Sequence, residues 1–146
     1  WETIAKLKEK LEIPVIANGD ITCGCDALEC IRITKADGVM VGRAILGAPW
    51  IIGEIDSEIK GLKNFKKPTT EEILTLIMEH IDALVEAKGS QGLMIARKHI
   101  SWTCRDFYGA NNLRNSLVRA KTLEEAKKLI FDHIENINRK QLIFNK

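Results

Sequence analysis

The chain has 146 residues, of which 45% are hydrophobic and 29% are charged, and its formal net charge is +2. This length fits one ordinary domain or two small ones. No apolar run approaches the ~18 residues that a membrane-spanning helix needs, and the first residues lack the basic and apolar regions of a signal peptide. We therefore expect a cytoplasmic protein with no membrane partner.

The first elements of the chain alternate between helix and strand. Helical spacing of apolar residues ends at Pro14, and two short runs that are apolar on every residue have the character of buried parallel strands. The predicted elements are a helix over 2–11, a strand over 15–17, a helix over 26–35, a strand over 39–41 and a helix from 44 to 50. This order is that of a parallel α/β fold.

Two strands do not complete a parallel sheet, so we interpret residues 1–58 as the last two strands of a (β/α)₈ barrel, with their helices. The chain starts at Trp1 within a charged helical pattern, which we interpret as the start of a piece of something longer. Strands 15–17 and 39–41 would then expose their edges. We expect the chain to self-associate through them.

The pattern changes after a polar, lysine-rich linker predicted over 55–68. Thr69 and Glu72 have the spacing of a capping box, as do Thr122 and Glu125, and apolar residues recur with the helical period. We predict helices over 69–89, 93–107 and 112–118, and a last one from 122 onwards. These form a small four-helix bundle over residues 66–146.

The positive charge lies in the second half of the chain, where residues 66–146 carry 14 Lys/Arg and 10 Asp/Glu, against 8 and 10 in residues 1–65. Only Asp106 is acidic between Arg97 and Lys121, which predicts a surface for a polyanion. The alternative is a set of ordinary solvated helix faces. The basic residues of this stretch are Arg97, Lys98, Arg105, Arg114, Arg119 and Lys121.

The cysteines do not have the pattern of a secreted disulfide framework. Cys23, Cys25 and Cys30 are crowded together, and Cys104 lies far along the chain. We expect free thiols in a reducing compartment. Structural zinc sites usually combine two pairs of closely spaced ligands, and no second pair is placed here, so we predict no metal site.

Polar loops follow both predicted strands. Asn18-Gly19-Asp20 ends the first strand and Gly42-Arg43 ends the second. A right-handed crossover puts both loops at the same edge of the sheet, where barrels bind ligands. Glycine permits close approach of a ligand, and the guanidinium of Arg43 matches phosphate oxygens. The loops therefore predict a phosphate site, although a glycine after a buried strand can also be a simple turn.

Six segments of this chain resemble the DusB-like branch of the tRNA-dihydrouridine synthases. The Asn-Gly-Asp and Asp-Gly-x-x-x-Gly-Arg elements are shared with other flavin barrels. Joined to the basic and aromatic stretch Arg97-Lys98-His99-Ile100-Ser101-Trp102, they become specific. The segments are 13–21, 37–44, 47–51, 96–102, 113–115 and 120–125.

The resemblance implies the C-terminal part of a TIM-barrel flavoprotein followed by a helical tRNA-binding domain. Such enzymes use FMN, reduced by NADPH, to reduce the C5–C6 double bond of uridines in tRNA. Asn18 would hydrogen-bond the flavin, and Gly19, Asp20, Gly42 and Arg43 would hold the FMN phosphate. The residues implied to face tRNA are Arg97, Lys98, His99, Trp102 and Arg114.

The family's catalytic cysteine and its flavin-contacting lysine and histidine belong to strands that this chain does not contain. We therefore assign no catalytic residue and expect the chain by itself to be inactive. The family also tends to place Tyr after the helical Trp, where this chain has Thr103. The alternative is a helical interaction module attached to another phosphate-binding TIM-barrel enzyme.

Three aromatic side chains also have simpler interpretations. His80 and His133 follow the apolar stripes of their helices and are interpreted as residues at the boundary of the core. Trp102 has helical spacing to apolar neighbours, which favours a core position over a base-stacking one.

Overall fold

The computed structural model of the chain describes residues 1–62 and 64–144, with side chains described as far as Arg139. It divides into two compact units, Trp1–Lys67 and Pro68–Lys146. The first contains α1 (Glu2–Lys8), β1 (Ile16–Asn18), α2 (Gly24–Thr34), β2 (Gly38–Met40), a 3₁₀ turn (Arg43–Ile45) and α3 (Ile51–Ile59). The second contains α4 (Thr70–Lys88), α5 (Ser90–Thr103), α6 (Ala110–Leu117) and α7 (Leu123–Phe144).

β1 and β2 pair in parallel, and α2 connects them. Asn18 lies opposite Met40, so the loops that follow the two strands leave the sheet at the same edge, as the spacing predicts. Each strand lies within one residue of its predicted position. The predicted βαβ unit is therefore confirmed.

Small buried residues let α2 pack closely on this pair of strands. Ala17, Ala27 and Cys30 are fully buried, and Ile51 and Ile55 add the apolar face of α3 to the same core. Short side chains at Ala17 on the strand and at Ala27 and Cys30 on the helix permit this close packing.

An ion pair fixes α1 to the start of β2. The carboxylate of Asp37 accepts hydrogen bonds from Lys8 Nζ at 2.6 Å and from the Val15 N–H at 2.7 Å. These donors, the Lys8 ammonium first, hold the pKa of Asp37 below its usual value. α1 is thereby joined to both strands.

The predicted helix over 44–50 is wrong. The structure has a 3₁₀ turn that ends at Ile45, and α3 begins only at Ile51. Gly47 adopts a φ of 78°, and Pro49 has no N–H to donate, so the backbone does not continue as one helix. The predicted linker is also wrong in its first part, because residues 55–59 belong to α3.

The expectation of four free thiols is wrong for one pair. Cys23 and Cys25 form a disulfide at the start of α2, where their Cα atoms lie 5.4 Å apart, within the range that the bond requires. Cys30 and Cys104 are free and buried. The close spacing of Cys23 and Cys25 in the sequence, which we interpreted as evidence against a disulfide framework, places their sulfurs within bonding distance.

Of the two capping boxes predicted in the second unit, the one at α4 is present in full. Thr69 Oγ1 accepts from the Glu72 N–H, and the Glu72 carboxylate accepts from the Thr69 N–H at 2.7 Å. These hydrogen bonds hold the pKa of Glu72 below its usual value. At α7 only half of the predicted box forms. Thr122 Oγ1 accepts from the Glu125 N–H at 3.1 Å, whereas the Glu125 carboxylate accepts from the Lys121 N–H instead of the Thr122 N–H.

One core joins the helices of the second unit. α4 and α5 pack so closely that a methyl group at Gly92 would collide with the Leu84 carbonyl. The arrangement as a four-helix bundle stays a prediction. The largest fully buried side chains of this core are Leu74, Ile81, Ile100, Cys104, Leu117 and Ile130.

The helices of the described part were searched for membrane spans, and none is both long enough and apolar enough to cross a bilayer.

Candidate phosphate cleft and nucleic-acid surface

An open cleft lies where β1 and β2 end. Its volume is about 680 Å³, and it contains all five residues assigned to FMN from the sequence, four to the phosphate and Asn18 to the flavin. The register of the two strands brings the loops together, since both leave the sheet at the same edge. The lining residues are Asn18, Gly19, Asp20, Ile21, Thr22, Gly42, Arg43 and Ala44.

Arg43 and Asp20 join the two loops across the cleft. Arg43 Nη2 lies 3.0 Å from Asp20 Oδ1, and the two side chains are 89% and 87% exposed. An exposed pair of this kind contributes only about 0–1 kcal/mol. An anion that offers the guanidinium two oxygens can therefore displace the carboxylate at little cost.

The backbone of the first loop is held in a conformation that favours glycine. Gly19 has a φ of 148° and Asp20 a φ of 49°. The indole N–H of Trp1 donates to the Gly19 carbonyl at 3.0 Å, and a methyl group at Gly19 would lie 3.2 Å from Trp1 Nε1. Trp1 therefore supports the loop.

Asn18 provides a side-chain amide at the end of β1. The side chain is exposed, and its Oδ1 lies 3.9 Å from the position that a Cβ of Gly42 would occupy. Its amide nitrogen makes only a long contact of 4.0 Å with Met40 Sδ. The amide is therefore available to a ligand that enters the cleft.

These residues fit a phosphate group. Arg43 supplies a permanent positive charge, Asn18 an N–H donor, and the two glycines leave space for oxygens close to the backbone. The carboxylate of Asp20 repels an anion, so its side chain contributes by holding Arg43 while its backbone forms the loop.

Thr22, which lines the cleft, is hydrogen-bonded to the first turn of α2. The Asp26 carboxylate accepts from the Thr22 N–H at 2.9 Å and from Thr22 Oγ1 at 2.6 Å, and the hydroxyl is the main reason that the pKa of Asp26 lies below its usual value. Donor atoms of Cys23, Cys25 and Asp26 lie within 4.8 Å of one another. The sulfurs are bonded to each other and offer no thiolate.

In the helical unit, three of the five residues assigned to tRNA come together on α5. Lys98 Nζ lies 5.1 Å from the centre of the Trp102 ring, and the His99 ring meets Trp102 edge-on at 5.3 Å. Lys98 is exposed, while His99 and Trp102 are half-buried. The result is a cation beside two rings, a combination suited to phosphates and bases.

α4 adds His80 to this cluster, which we call the His–Trp cluster (His80, Lys98, His99 and Trp102). The rings of His80 and His99 lie 4.6 Å apart. The His80 side chain is exposed, yet desolvation by the atoms around it lowers its pKa, and the charge of His99 lowers it further. Sequence reasoning missed His80 because its partner lies 19 residues away on another helix, and periodicity identifies faces rather than pairs.

The other two residues assigned to tRNA have partners within the unit. Arg97 is half-buried, and its Nη2 donates to the Ala120 carbonyl at 3.4 Å, while its buried Nε has no hydrogen-bond partner among the described residues. Arg114 donates to Asn111 Oδ1 at 3.1 Å. Both guanidinium groups therefore bind the local backbone or side chains of the unit.

The chain has the architecture of an α/β protein with an added helical unit. Its parallel βαβ unit carries a cleft that fits phosphate, and its helical unit carries a cluster of aromatic rings beside a cation. A model of the family described as "Dihydrouridine synthase (Dus)" matches residues 1–140. The chain belongs to the dihydrouridine synthase family.

Individual relatives agree with the family match. The chain is 47% identical over 130 residues to "Probable tRNA-dihydrouridine synthase 1" of Synechocystis, which covers 89% of this chain and 37% of the relative. It is 43% identical to "Probable tRNA-dihydrouridine synthase" of Rickettsia bellii, and the aligned region covers 83% of this chain and 39% of that relative. It is 36% identical to "tRNA-dihydrouridine synthase B" of Xanthomonas axonopodis, and the aligned region covers 92% of this chain and 41% of that relative. The chain thus spans about two fifths of the length of these relatives.

Proposed function

We propose that this chain supplies part of the FMN phosphate site and the tRNA-binding surface of a tRNA-dihydrouridine synthase. The whole enzyme would use NADPH to reduce uridine to 5,6-dihydrouridine in tRNA. The observation that carries the proposal is the cleft at the ends of β1 and β2, bridged by Arg43 and Asp20, in a chain that belongs to this family.

In this proposal, residues 1–58 are the end of the flavin barrel and residues 66–146 are the tRNA-binding domain. The proposed catalytic site lies outside these 146 residues, so the chain alone is not expected to reduce uridine. When bound, FMN supplies the hydride chemistry.

The residues of the cleft have separate tasks. Arg43 would hold the phosphate group of FMN through its guanidinium, and Asn18 would donate to the flavin through its amide. Gly19 and Gly42 would leave room for the phosphate beside the backbone, and Asp20 would hold Arg43 in place when the cleft is empty. Their shared task is to bind and orient FMN.

In the helical unit, Lys98 would neutralise a backbone phosphate. His99 and Trp102 offer ring faces to an unpaired base, and Arg97 and Arg114 add positive potential from the same unit. The alternative, an interaction module on an unrelated phosphate-binding barrel, is not favoured, since the family match runs across both units.

The phosphate assignment is tested by titrating the chain with FMN, monitored by flavin fluorescence, and with inorganic phosphate as competitor. Arg43→Ala removes a charged hydrogen-bond donor, which at about 1.5–3 kcal/mol corresponds to roughly 10–100-fold weaker FMN binding. The matched control is Arg32→Ala, because Arg32 is an exposed arginine of the same unit that pairs with Glu29. Equal affinities of these two variants would contradict the assignment.

A further inference from the structure

We propose that Cys23 and Cys25 form a thiol–disulfide exchange site, opened by a dithiol reductant and closed by a small-molecule disulfide while the protein stays folded. The two cysteines are bonded to each other at the start of α2, and Cys25 is exposed. The inference does not depend on the proposed function, because it concerns only these two side chains and their surroundings.

The bond closes a very short loop. Only Gly24 separates the two cysteines, and the stabilisation that a disulfide adds by restricting the unfolded chain grows with loop length. The disulfide is therefore a minor contributor to stability. Breaking it leaves the fold of the unit intact.

The backbone between the cysteines is fixed by packing. Gly24 is buried, and a methyl group there would collide with the side chain of Glu58 on α3. This close approach to α3 involves neither sulfur, so we expect the start of α2 to keep its position when the bond is broken. The two thiols therefore stay close enough to form the bond again.

The position of Cys23 makes it a good leaving group. Cys23 is the N-cap of α2, and its Sγ accepts a hydrogen bond from the Asp26 N–H at 3.2 Å. An N–H donor at the start of a helix stabilises a thiolate. The Asp26 carboxylate lies within 4.8 Å of both sulfurs and opposes a thiolate on either one, so the direction depends on the exposure of Cys25 and the N–H donor at Cys23. Attack on Cys25 with departure of Cys23 is therefore favoured.

The exchange balances as follows. A thiolate of the dithiol attacks Cys25 Sγ, the Cys23–Cys25 bond breaks, and Cys23 leaves as a thiolate. The second thiolate of the reductant attacks the reductant's own sulfur in the mixed disulfide, which releases Cys25 and leaves the reductant as a cyclic disulfide. Two electrons pass from the dithiol to the cysteine pair, and water supplies the protons. A small disulfide such as oxidised glutathione reverses the reaction.

The other two cysteines do not take part. Cys30 and Cys104 are fully buried, and burial raises the pKa of both thiols, that of Cys104 to about 12. Neither thiol is accessible as a thiolate in the folded protein. Exchange is therefore confined to one pair among the described residues.

The test equilibrates the folded chain with oxidised glutathione or with dithiothreitol, traps accessible thiols with N-ethylmaleimide and counts the labels by intact mass. We expect no label under oxidised glutathione and two labels, on Cys23 and Cys25, under dithiothreitol. Cys30→Ser serves as the control and should leave this transition unchanged. Cys23→Ser should instead hold one glutathione on Cys25 under the oxidising condition.

Two results would overturn the proposal. One is a disulfide that resists dithiothreitol until urea unfolds the protein. The other is a pair of cysteines that both accept N-ethylmaleimide after equilibration with oxidised glutathione. Circular dichroism of the two redox forms verifies that labelling occurs in the folded protein.

Discussion

The guanidinium of Arg43 and the carboxylate of Asp20 meet at 3.0 Å, each from the loop that follows one of the two parallel strands. The pair bridges the two loops of the open cleft, and both charges stay exposed. A phosphate that binds Arg43 must displace the Asp20 carboxylate, and this displacement costs little because the exposed ion pair is weak.

Asp20→Asn is expected to tighten the binding of inorganic phosphate. The variant removes the negative charge that pairs with Arg43, and since an exposed pair contributes about 0–1 kcal/mol, the gain is at most roughly fivefold. Isothermal titration with phosphate measures it. Weaker binding by Asp20→Asn would mean that the carboxylate does not compete with the anion.

Gly92→Ala is expected to destabilise the helical unit. The new methyl group would collide with the Leu84 carbonyl, and backbone cannot turn aside as a side chain can. Overpacking of this kind lowers the free energy of unfolding by about 1–3 kcal/mol, which urea denaturation detects as a lower midpoint. The matched control is Gly53→Ala in α3, where the methyl group meets the Phe65 ring at 3.2 Å and the ring can shift. Similar losses in both variants would refute the close α4–α5 contact.

The stability of the helical unit should fall as the pH is lowered through the unfolded pKa of His80, about 6.5. In the folded protein the pKa of His80 lies below that value. At pH values between the folded and the unfolded pKa, the unfolded chain binds more protons than the folded protein, so acid favours unfolding. His80→Gln should therefore lose less stability between pH 7.5 and pH 5.5, a window of about two units around that pKa. Urea unfolding at both pH values measures this.

The control for this prediction is His133→Gln, which removes an imidazole bonded to the Tyr108 carbonyl at 3.0 Å. It should retain the acid-induced loss that His80 causes. An equal loss in the wild-type chain and in His80→Gln would contradict the assignment to His80.

The sequence predicted local features better than tertiary pairs. Short runs that are apolar on every residue, each ended by glycine and polar residues, located both strands within one residue. The Thr69–Glu72 spacing predicted its capping box. Both signals are contained in a few neighbouring residues. The break at Gly47 and Pro49 was also present in the sequence. Both residues interrupt a helix, since Gly47 has a positive φ and Pro49 has no N–H to donate, and the prediction of a helix over 44–50 left them out of account.

The remaining site features depend on distant residues. Trp1 supports Gly19 across 18 positions, and His80 meets His99 across 19, so no local spacing marks either contact. The disulfide of Cys23 and Cys25 was missed for a different reason, since the expectation rested on compartment rather than on geometry.

The tRNA-binding surface is the central claim, and salt-dependent binding of a tRNA transcript by the chain tests it most directly. Fluorescence anisotropy at increasing salt should give affinities that fall steeply, with Lys98→Gln lowering the slope of log K against log salt by about 0.7–0.9. Lys60→Gln, which removes the same charge from the other unit, should leave the slope unchanged. Absence of binding at low salt, or equal slopes for Lys98→Gln and Lys60→Gln, would contradict the claim.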